Sequence, residues 1–275
     1  MTPTRFFRTH LQVPKAGNTP AECEDALRVS PDVPYHDYFE DAVIAAMCDG
    51  ASESMLVEHW AGLLAETALQ HASTASFFDA AESFSDFATD AIVKWRNWLA
   101  EYLATRSQQG RPLKWYEEAK IPQGAFSTLL VMRVDPTSDD HAASWKAAAL
   151  GDTCLFHVRD EQVIESFPIQ NINEFGNTPM LFGSLNRDVA LISERTQFRH
   201  GICEAGDELF IMTDALAAWF FSCNDKARSE EALHQLRKYS LHENLEDFTQ
   251  WISELRATGE IHNDDVSVIH VEVQG

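Results

Sequence analysis

The sequence predicts an α+β fold in which antiparallel sheets are covered by helices. Three observations carry that expectation. The middle of the 275-residue chain is a series of short Val-, Leu- and Thr-rich runs separated by turn signals, the pattern of hairpins. Two long stretches ahead of it repeat their apolar residues at three- and four-residue spacing, as helices with one buried face do. Three shorter helical patterns and one last β-rich run follow it. No internal repeat, low-complexity tract or linker divides the chain, so residues 1–275 are expected to form a single domain.

In order, residues 5–13 and 26–29 read as short strands, with Gly/Asn/Pro-rich loop at 14–20 and a Pro-rich loop at 31–34. Residues 42–48 are apolar or small throughout and run into Asp49-Gly50, which suits a buried strand closed by a turn. Ser52-Glu53-Ser54 can cap a helix whose buried face is Leu56, Val57, Trp60, Leu64 and Ala68. Residues 77–105 form the next helix, with Phe84, Phe87, Ala91, Ile92, Trp95, Leu99 and Tyr102 as its core stripe and Gly110-Arg111-Pro112 beyond its end. Residues 115–120 read as a helical turn. Strands follow at 125–134, 145–150, 153–158 and 162–164, the last two joined by an Arg159-Asp160 turn. Residues 166–186 are polar and loop-like, longer than an ordinary connection, and are expected as a mobile loop that shapes function. A strand at 208–212, helices at 215–221, 229–239 and 245–256, and a strand at 266–273 complete the chain.

Apolar residues make up 45% of the chain and aromatics 11%, a globular composition. Lys plus Arg number 21 against 43 Asp plus Glu, a formal net charge of −22. Such a surface repels phosphate backbones and anionic lipids, so nucleic acid and membrane surfaces are not expected partners. The five cysteines include no C-x-x-C pair, and Cys48 and Cys154 lie inside apolar runs, so free buried thiols are expected. The first ten residues, MTPTRFFRTH, hold no apolar stretch long enough for a signal peptide, and no segment approaches ~18 consecutive apolar residues. The cytoplasm is the expected compartment.

Acidic groups stand beside strands in five places: Glu24-Asp25, Asp49-Gly50, Gly151-Asp152, Thr213-Asp214 and Asp264-Asp265. Taken singly each has an ordinary reading, since Asp beside Gly turns the chain and Asp after a strand caps the next helix. Together they are oxygen ligands that strands could bring to one edge, and oxygen suits hard cations such as Mg²⁺ and Mn²⁺. Carboxylates at close quarters stay ionised only if cations offset their repulsion.

These motifs resemble those of the metal-dependent Ser/Thr protein phosphatase family, the protein phosphatase 2C type, in a divergent, bacterial-like form. Cys23-Glu24-Asp25-Ala26 resembles the family's NEDA. Asp49-Gly50-Ala51-Ser52-Glu53 resembles DGxGG, and Ala125-Phe126-Ser127-Thr128-Leu129 resembles SGSTA. Gly151-Asp152-Thr153-Cys154 is similar to GDSR, the run Gly206 to Leu216 to GD-L-L-SDGL, and Asp264-Asp265-Val266-Ser267-Val268 to DNITV. Six motifs stand in the family's order from residue 23 to 268.

The resemblance implies a four-layer α-β-β-α sandwich with two metal ions, Mg²⁺ or Mn²⁺, at one edge. Carried over, Asp49 bridges both ions and the Gly50 carbonyl ligates one. Asp214 and Asp264 ligate one ion, Asp25 acts at the other end, and Glu24 acts there through water. Asp152 matches an Asp that supports a third, weaker ion in some members. Asp265 stands where the family usually has Asn and is the weaker candidate. Asp49 and Asp214 carry the catalytic role. Two hard cations ~3.5–4 Å apart acidify a water that attacks phosphorus directly, so no Ser or Cys nucleophile is needed.

The departures are equally specific. Ala51 stands where many members have a proton-donating His, and Ser52 and Glu53 replace the following glycines. Ala215 replaces the Gly of SDG, and Pro20 stands where many members have a phosphate-gripping Arg, a role Arg5 or Arg8 could fill from the first strand. His59, His71 and His262 are expected as surface or core histidines. The implied function is hydrolysis of phosphoserine or phosphothreonine in a phosphorylated protein substrate. A catalytically weak family member serving as a signalling module, or a phosphatase for small molecules, are the alternatives.

Overall fold

A computed structural model describes residues 3–33, 37–79, 81–137, 142–176, 179–225, 227–240 and 245–275. Its strands are β1 (Arg5–Val13), β2 (Ala26–Ser30), β3 (Val43–Cys48), β4 (Phe126–Ser127), β5 (Leu129–Pro136), β6 (Ala142–Leu150), β7 (Cys154–Arg159), β8 (Gln162–Phe167), β9 (Phe182–Gly183), β10 (Gln197–Glu204), β11 (Glu208–Met212) and β12 (Val266–Gln274). Its helices are α1 (Val57–Ala72), α2 (Ala81–Gln108), α3 (Trp115–Lys120), α4 (Val189–Arg195), α5 (Asp214–Asp225), α6 (Ser229–Ser240) and α7 (Leu245–Thr258). One sheet runs β1-β12-β11-β7-β8 and the other β10-β6-β5-β3-β2, antiparallel throughout.

The period-2 alternation of each strand sorts its side chains into layers. In β3, Val43, Ala45 and Met47 enter the core between the sheets with Leu130, Met132, Trp145, Leu209, Ile211 and Ile269. Ile44, Ala46 and Cys48 of the same strand face the other way, onto Trp60, Leu64, Phe84, Phe87 and Trp95 of α1 and α2. On the far side Phe156, Phe210, Met212 and Val268 pack against α5, α6 and α7 through Trp219, Phe220, Leu233 and Ile252. This is the four-layer sandwich. β3 reads as a continuous apolar run because both its faces are covered.

Several local expectations need correction. Ser52–Ser54 do not cap α1. The helix begins after Leu56, which has φ 62° and ψ 31° and no side-chain cap, while Ser54 Oγ donates to the Ala51 carbonyl at 2.6 Å. The helix expected over 77–105 begins only at Ala81 and runs to Gln108, preceded by a 3-10 turn at Ala75–Phe78; Ala80 lies outside the described residues. The run 125–134 breaks at Thr128 into β4 and β5, and β4 turns away to pair with β9. Residues 166–186 are partly structured. β8 extends to Phe167, Ile172–Glu174 is a 3-10 turn, and Phe182 is fully buried, accepting the Trp60 indole N–H at 2.9 Å. Asn177 and Thr178 of that stretch, like Pro34 of the earlier loop, lie outside the described residues. All five cysteines are free and buried. No helix among the described residues is long and apolar enough to cross a membrane.

Candidate metal centre

Strand register places the five acidic positions at one edge. In one sheet Ala26 pairs with Cys48, so Asp25 and Asp49, the next residues outward, are neighbours. In the other, Met212 pairs with both Val268 and Cys154, which brings the residues beyond β11, before β12 and before β7 to the same end: Asp214, Asp264 and Asp152. The sheets are tied together there by polar contacts. Ser267 Oγ donates to Asp25 Oδ2 at 2.8 Å, and Gln12 Nε2 donates to the Asp25 carbonyl at 3.1 Å and to Ser267 Oγ at 3.0 Å. Asp265 Oδ1 accepts the Lys15 N–H and Oδ2 the Glu24 N–H, each at 2.7 Å.

The backbone at Asp49 is held on both sides. Its N–H donates to Thr128 Oγ1 at 2.9 Å, and its carbonyl accepts from the Thr128 N–H and the Ser127 hydroxyl, both at 2.8 Å. The break between β4 and β5 is what turns those donors toward it. Gly50 is required by close approach: a Cβ there would lie 2.6 Å from the Glu24 carbonyl oxygen and 2.6 Å from Val57 Cγ2. Gly151, with φ +111°, makes the turn that crosses from one sheet to the other and presents Asp152.

Electrostatics shows how close these carboxyls are. Burial, then Asp25, Asp214, Asp264 and Asp152, push the Asp49 carboxyl well above the usual range. Burial also raises Asp25, reinforced by Asp265 and Asp214 and opposed by Ser267. Burial and Asp264 raise Asp214, whose carboxyl is within hydrogen-bonding reach of Asp49. Burial and Asp214 push Asp152 up to about 6. An all-oxygen donor set that cannot stay fully ionised by itself is the chemistry that hard divalent cations relieve, so the residues present fit such ions. Asp49, Asp152, Asp214 and Asp264 line a cleft of about 630 Å³, together with Phe126, Pro179 and Leu181. A roomier groove of about 840 Å³ at the end of α2 lies away from this cluster; its Glu117 is paired with Arg106.

The structure brings Asp25, Asp49, Gly50, Asp152, Asp214 and Asp264 together. Glu24 stands at the rim, where its carboxylate accepts from Lys15 Nζ at 2.8 Å and from Ser52 Oγ. Asp265, the weaker candidate, is buried and spends both oxygens as a backbone clamp. Arg8 does not reach the cluster. It lies five residues up the strand from Val13, buried, donating to the Pro31 and Val33 carbonyls at 2.9 and 3.0 Å, and Arg5 stands over Tyr38 at the far end of the same strand. His59 stacks on Trp98, with burial lowering its pKa, and His71 pairs with Asp90; only His262 is near enough to act on Asp214. Sequence reasoning missed Lys15, Ser52, Thr128 and Ser267. Ser52, Thr128 and Ser267 are visible as hydroxyls inside the motifs, but Lys15 carries no signal.

Among the described residues a second group of ligand-type atoms, on His157, Cys203 and Asp207, lies within 4.8 Å at the other end of β11. Both Asp207 oxygens are taken there, by Arg159 at 2.9 and 2.7 Å, by His157 at 2.8 Å and by the Glu204 N–H at 2.8 Å. Burial raises the Asp207 pKa, but these partners outweigh it and hold the carboxyl below its usual range. The group is an ion-pair network that fastens β7 to the turn before β11.

A family model described as protein phosphatase 2C matches residues 18–254, and the chain belongs to that family. Solved structures share the fold at low identity. A bacterial serine phosphatase aligns with a TM-score of 0.56 and 12% identity, over 98% of this chain and 98% of its own. The phosphatase domain of SpoIIE from Bacillus subtilis aligns at 0.52 and 16%, over 100% and 94%. The catalytic domain of the serine/threonine phosphatase PstP, in complex with two manganese ions, aligns at 0.50 and 11%, over 99% and 100%. No functionally curated protein matches the chain in sequence.

Proposed function

We propose that this chain is a Mg²⁺/Mn²⁺-dependent phosphatase that hydrolyses phosphoserine and phosphothreonine in proteins, as a single domain in the cytoplasm. The observation that carries the reading is the convergence of Asp25, Asp49, Asp152, Asp214 and Asp264 on one edge, each drawn from a different connection and four of them raised in pKa. Bound divalent ions supply an acidified water and hold the phosphoryl oxygens. Asp49 would be shared between the ions, Asp214 and Asp264 would hold one of them, and the Gly50 carbonyl, Asp25 and Glu24 would serve the other. Asp152 would serve a third, weaker ion. Thr128 and Ser127 lock the Asp49 backbone so that its carboxylate points into the cleft with little freedom. A cysteine route is disfavoured, because burial pushes the thiols of Cys23, Cys48, Cys154 and Cys203 up and keeps them protonated.

The methyl group of Ala51 and the ring of Pro20, where relatives carry a proton donor and a phosphate grip, favour a second reading as a catalytically weak signalling module. One experiment separates the two. Hydrolysis of an aryl phosphate and of a phosphoserine peptide is measured in chelator, in Mg²⁺ and in Mn²⁺. Turnover that requires metal and is largely abolished in Asp49→Asn supports the phosphatase. Turnover undiminished in the metal-free protein contradicts it, and no turnover with either metal leaves the signalling module.

A further inference from the structure

Lys15 follows β1 and stands at the lip of the carboxylate cluster. Asp265 bonds its backbone N–H and that of Glu24 with its two oxygens, so one buried carboxylate fixes both residues. The Lys15 ammonium donates to Glu24 Oε2 at 2.8 Å and to Ser52 Oγ at 3.1 Å, and Ser52 Oγ donates to the same glutamate oxygen. Side chains from three separate loops thus close on one another, with the lysine 24% and the glutamate 18% exposed. The Glu24 backbone packs directly against Gly50, so this contact borders the Gly50 side of Asp49. At the opposite side Arg256 is differently engaged: its Nη2 donates to the backbone carbonyl of Asp264 at 2.6 Å.

We propose that Lys15 is a tethered counter-ion of the Glu24 end and makes the centre take up its divalent ions unequally. The Asp49–Asp214–Asp264 end fills first. The Glu24 end fills only when the ammonium leaves the glutamate. The inference rests on the metal-dependent reading above. Its physical basis is simple. An ammonium and a divalent ion served by the same carboxylate repel each other, and even at the dielectric of water a few ångströms of separation lowers affinity roughly tenfold. The lysine also takes the charge-assisted bond that would otherwise orient Glu24 toward the ion's hydration shell. When the end is empty, the same contact offsets the charge of Glu24, so the rim stays assembled without metal.

The test is calorimetric titration of Mn²⁺ into the metal-stripped full chain at pH 7.5, for wild type, Lys15→Met, Lys15→Gln and Ser52→Ala. Wild type should show a tighter and a weaker class of site. Lys15→Met and Lys15→Gln should tighten the weaker class roughly tenfold and leave the tighter class nearly unchanged. Ser52→Ala, which keeps the charge, should shift neither class appreciably. A second class that becomes measurable only in the lysine variants also supports the proposal. Two equal classes in wild type, a single class in every variant, or a weaker class that does not tighten when the lysine charge is gone overturns it. Two ions bound with no effect of Lys15 would remove this inference alone, whereas a chain that binds no divalent ion would remove the metal-dependent function as well.

Discussion

At the scale of single residues, Gly50 and Asp49 form the most constrained pair in the chain. The carboxylate comes at the end of a strand buried on both faces, and the next residue must lie against the Glu24 backbone and Val57. A valine methyl can rotate away, but a carbonyl fixed through the Glu24–Asp265 bond cannot. Gly50→Ala should therefore push the Asp49–Gly50 segment outward instead of finding room. The expected cost is about 1–3 kcal/mol of stability from overpacking and roughly a hundredfold in turnover from misplacing the Asp49 carboxylate. Urea unfolding and aryl phosphate hydrolysis measure the two effects; near-normal turnover would show that the segment yields without moving the carboxylate. Asp49-Gly50 was legible because its signal is local, an apolar run meeting a turn. The clamp formed by Asp265 was not, because its partners lie some 240 residues away and are backbone N–H groups that leave no mark on the sequence. Lys15 is near Glu24 only because β1 ends where β2 begins.

At the scale of elements, strands covered on both sides are legible in the sequence and the exposed edge strand β10 is not. β3, β7, β11 and β12 are apolar runs bounded by turns. β10, by contrast, reads QFRHGICE with only Cys203 buried, so neither alternation nor an apolar run announces it, and the short α4 before it was missed too. The stretch 166–186 reads as loop throughout in the sequence, since its anchors, Phe167 and Phe182, are single aromatics in polar surroundings. What it presents to the cleft is Pro179 and Leu181, an apolar wall beside the carboxylates. A phosphopeptide has side chains to lay against that wall, and a small aryl phosphate has far less. Exchanging residues 170–180 for a short Gly/Ser linker, with Phe167 and Phe182 kept, should lower kcat/KM on phosphopeptides roughly tenfold more than on the aryl phosphate, the scale of one lost apolar contact. Equal losses on both substrates would assign the stretch a folding role.

At the scale of the whole molecule, the net charge of −22 is mostly solvated surface, and the carboxyls of the centre are the part of it that folding forces together. The folded pKa values of Asp25, Asp49, Asp152 and Asp214 are raised, so the stability they contribute is fully present below about 3.9, the unfolded value, and is lost as pH rises through the folded values, about 6 for Asp152. Histidines act in the opposite sense. Burial lowers the pKa of His10, His59 and His157, so their contribution is present above about 6.5 and lost as pH falls through their folded values. The simple pH dependence of stability therefore mixes two trends, but the histidine contribution is common to the metal-free and metal-loaded protein and cancels in their difference. The increase in Tm produced by Mn²⁺ should accordingly be larger at pH 7.5 than at pH 5.5, where protons compete for the same oxygens. At 100 times Kd it corresponds to about 2.7 kcal/mol, on the order of 5 °C for a chain of this size. Asp49→Asn removes one charge from the crowded edge, so it should raise the Tm of the metal-free protein at pH 7.5 while largely abolishing the increase on adding Mn²⁺. A metal-free Asp49→Asn protein less stable than wild type at that pH would mean that the carboxylate is held by favourable contacts, and that the edge is not an unfavourable assembly awaiting cations.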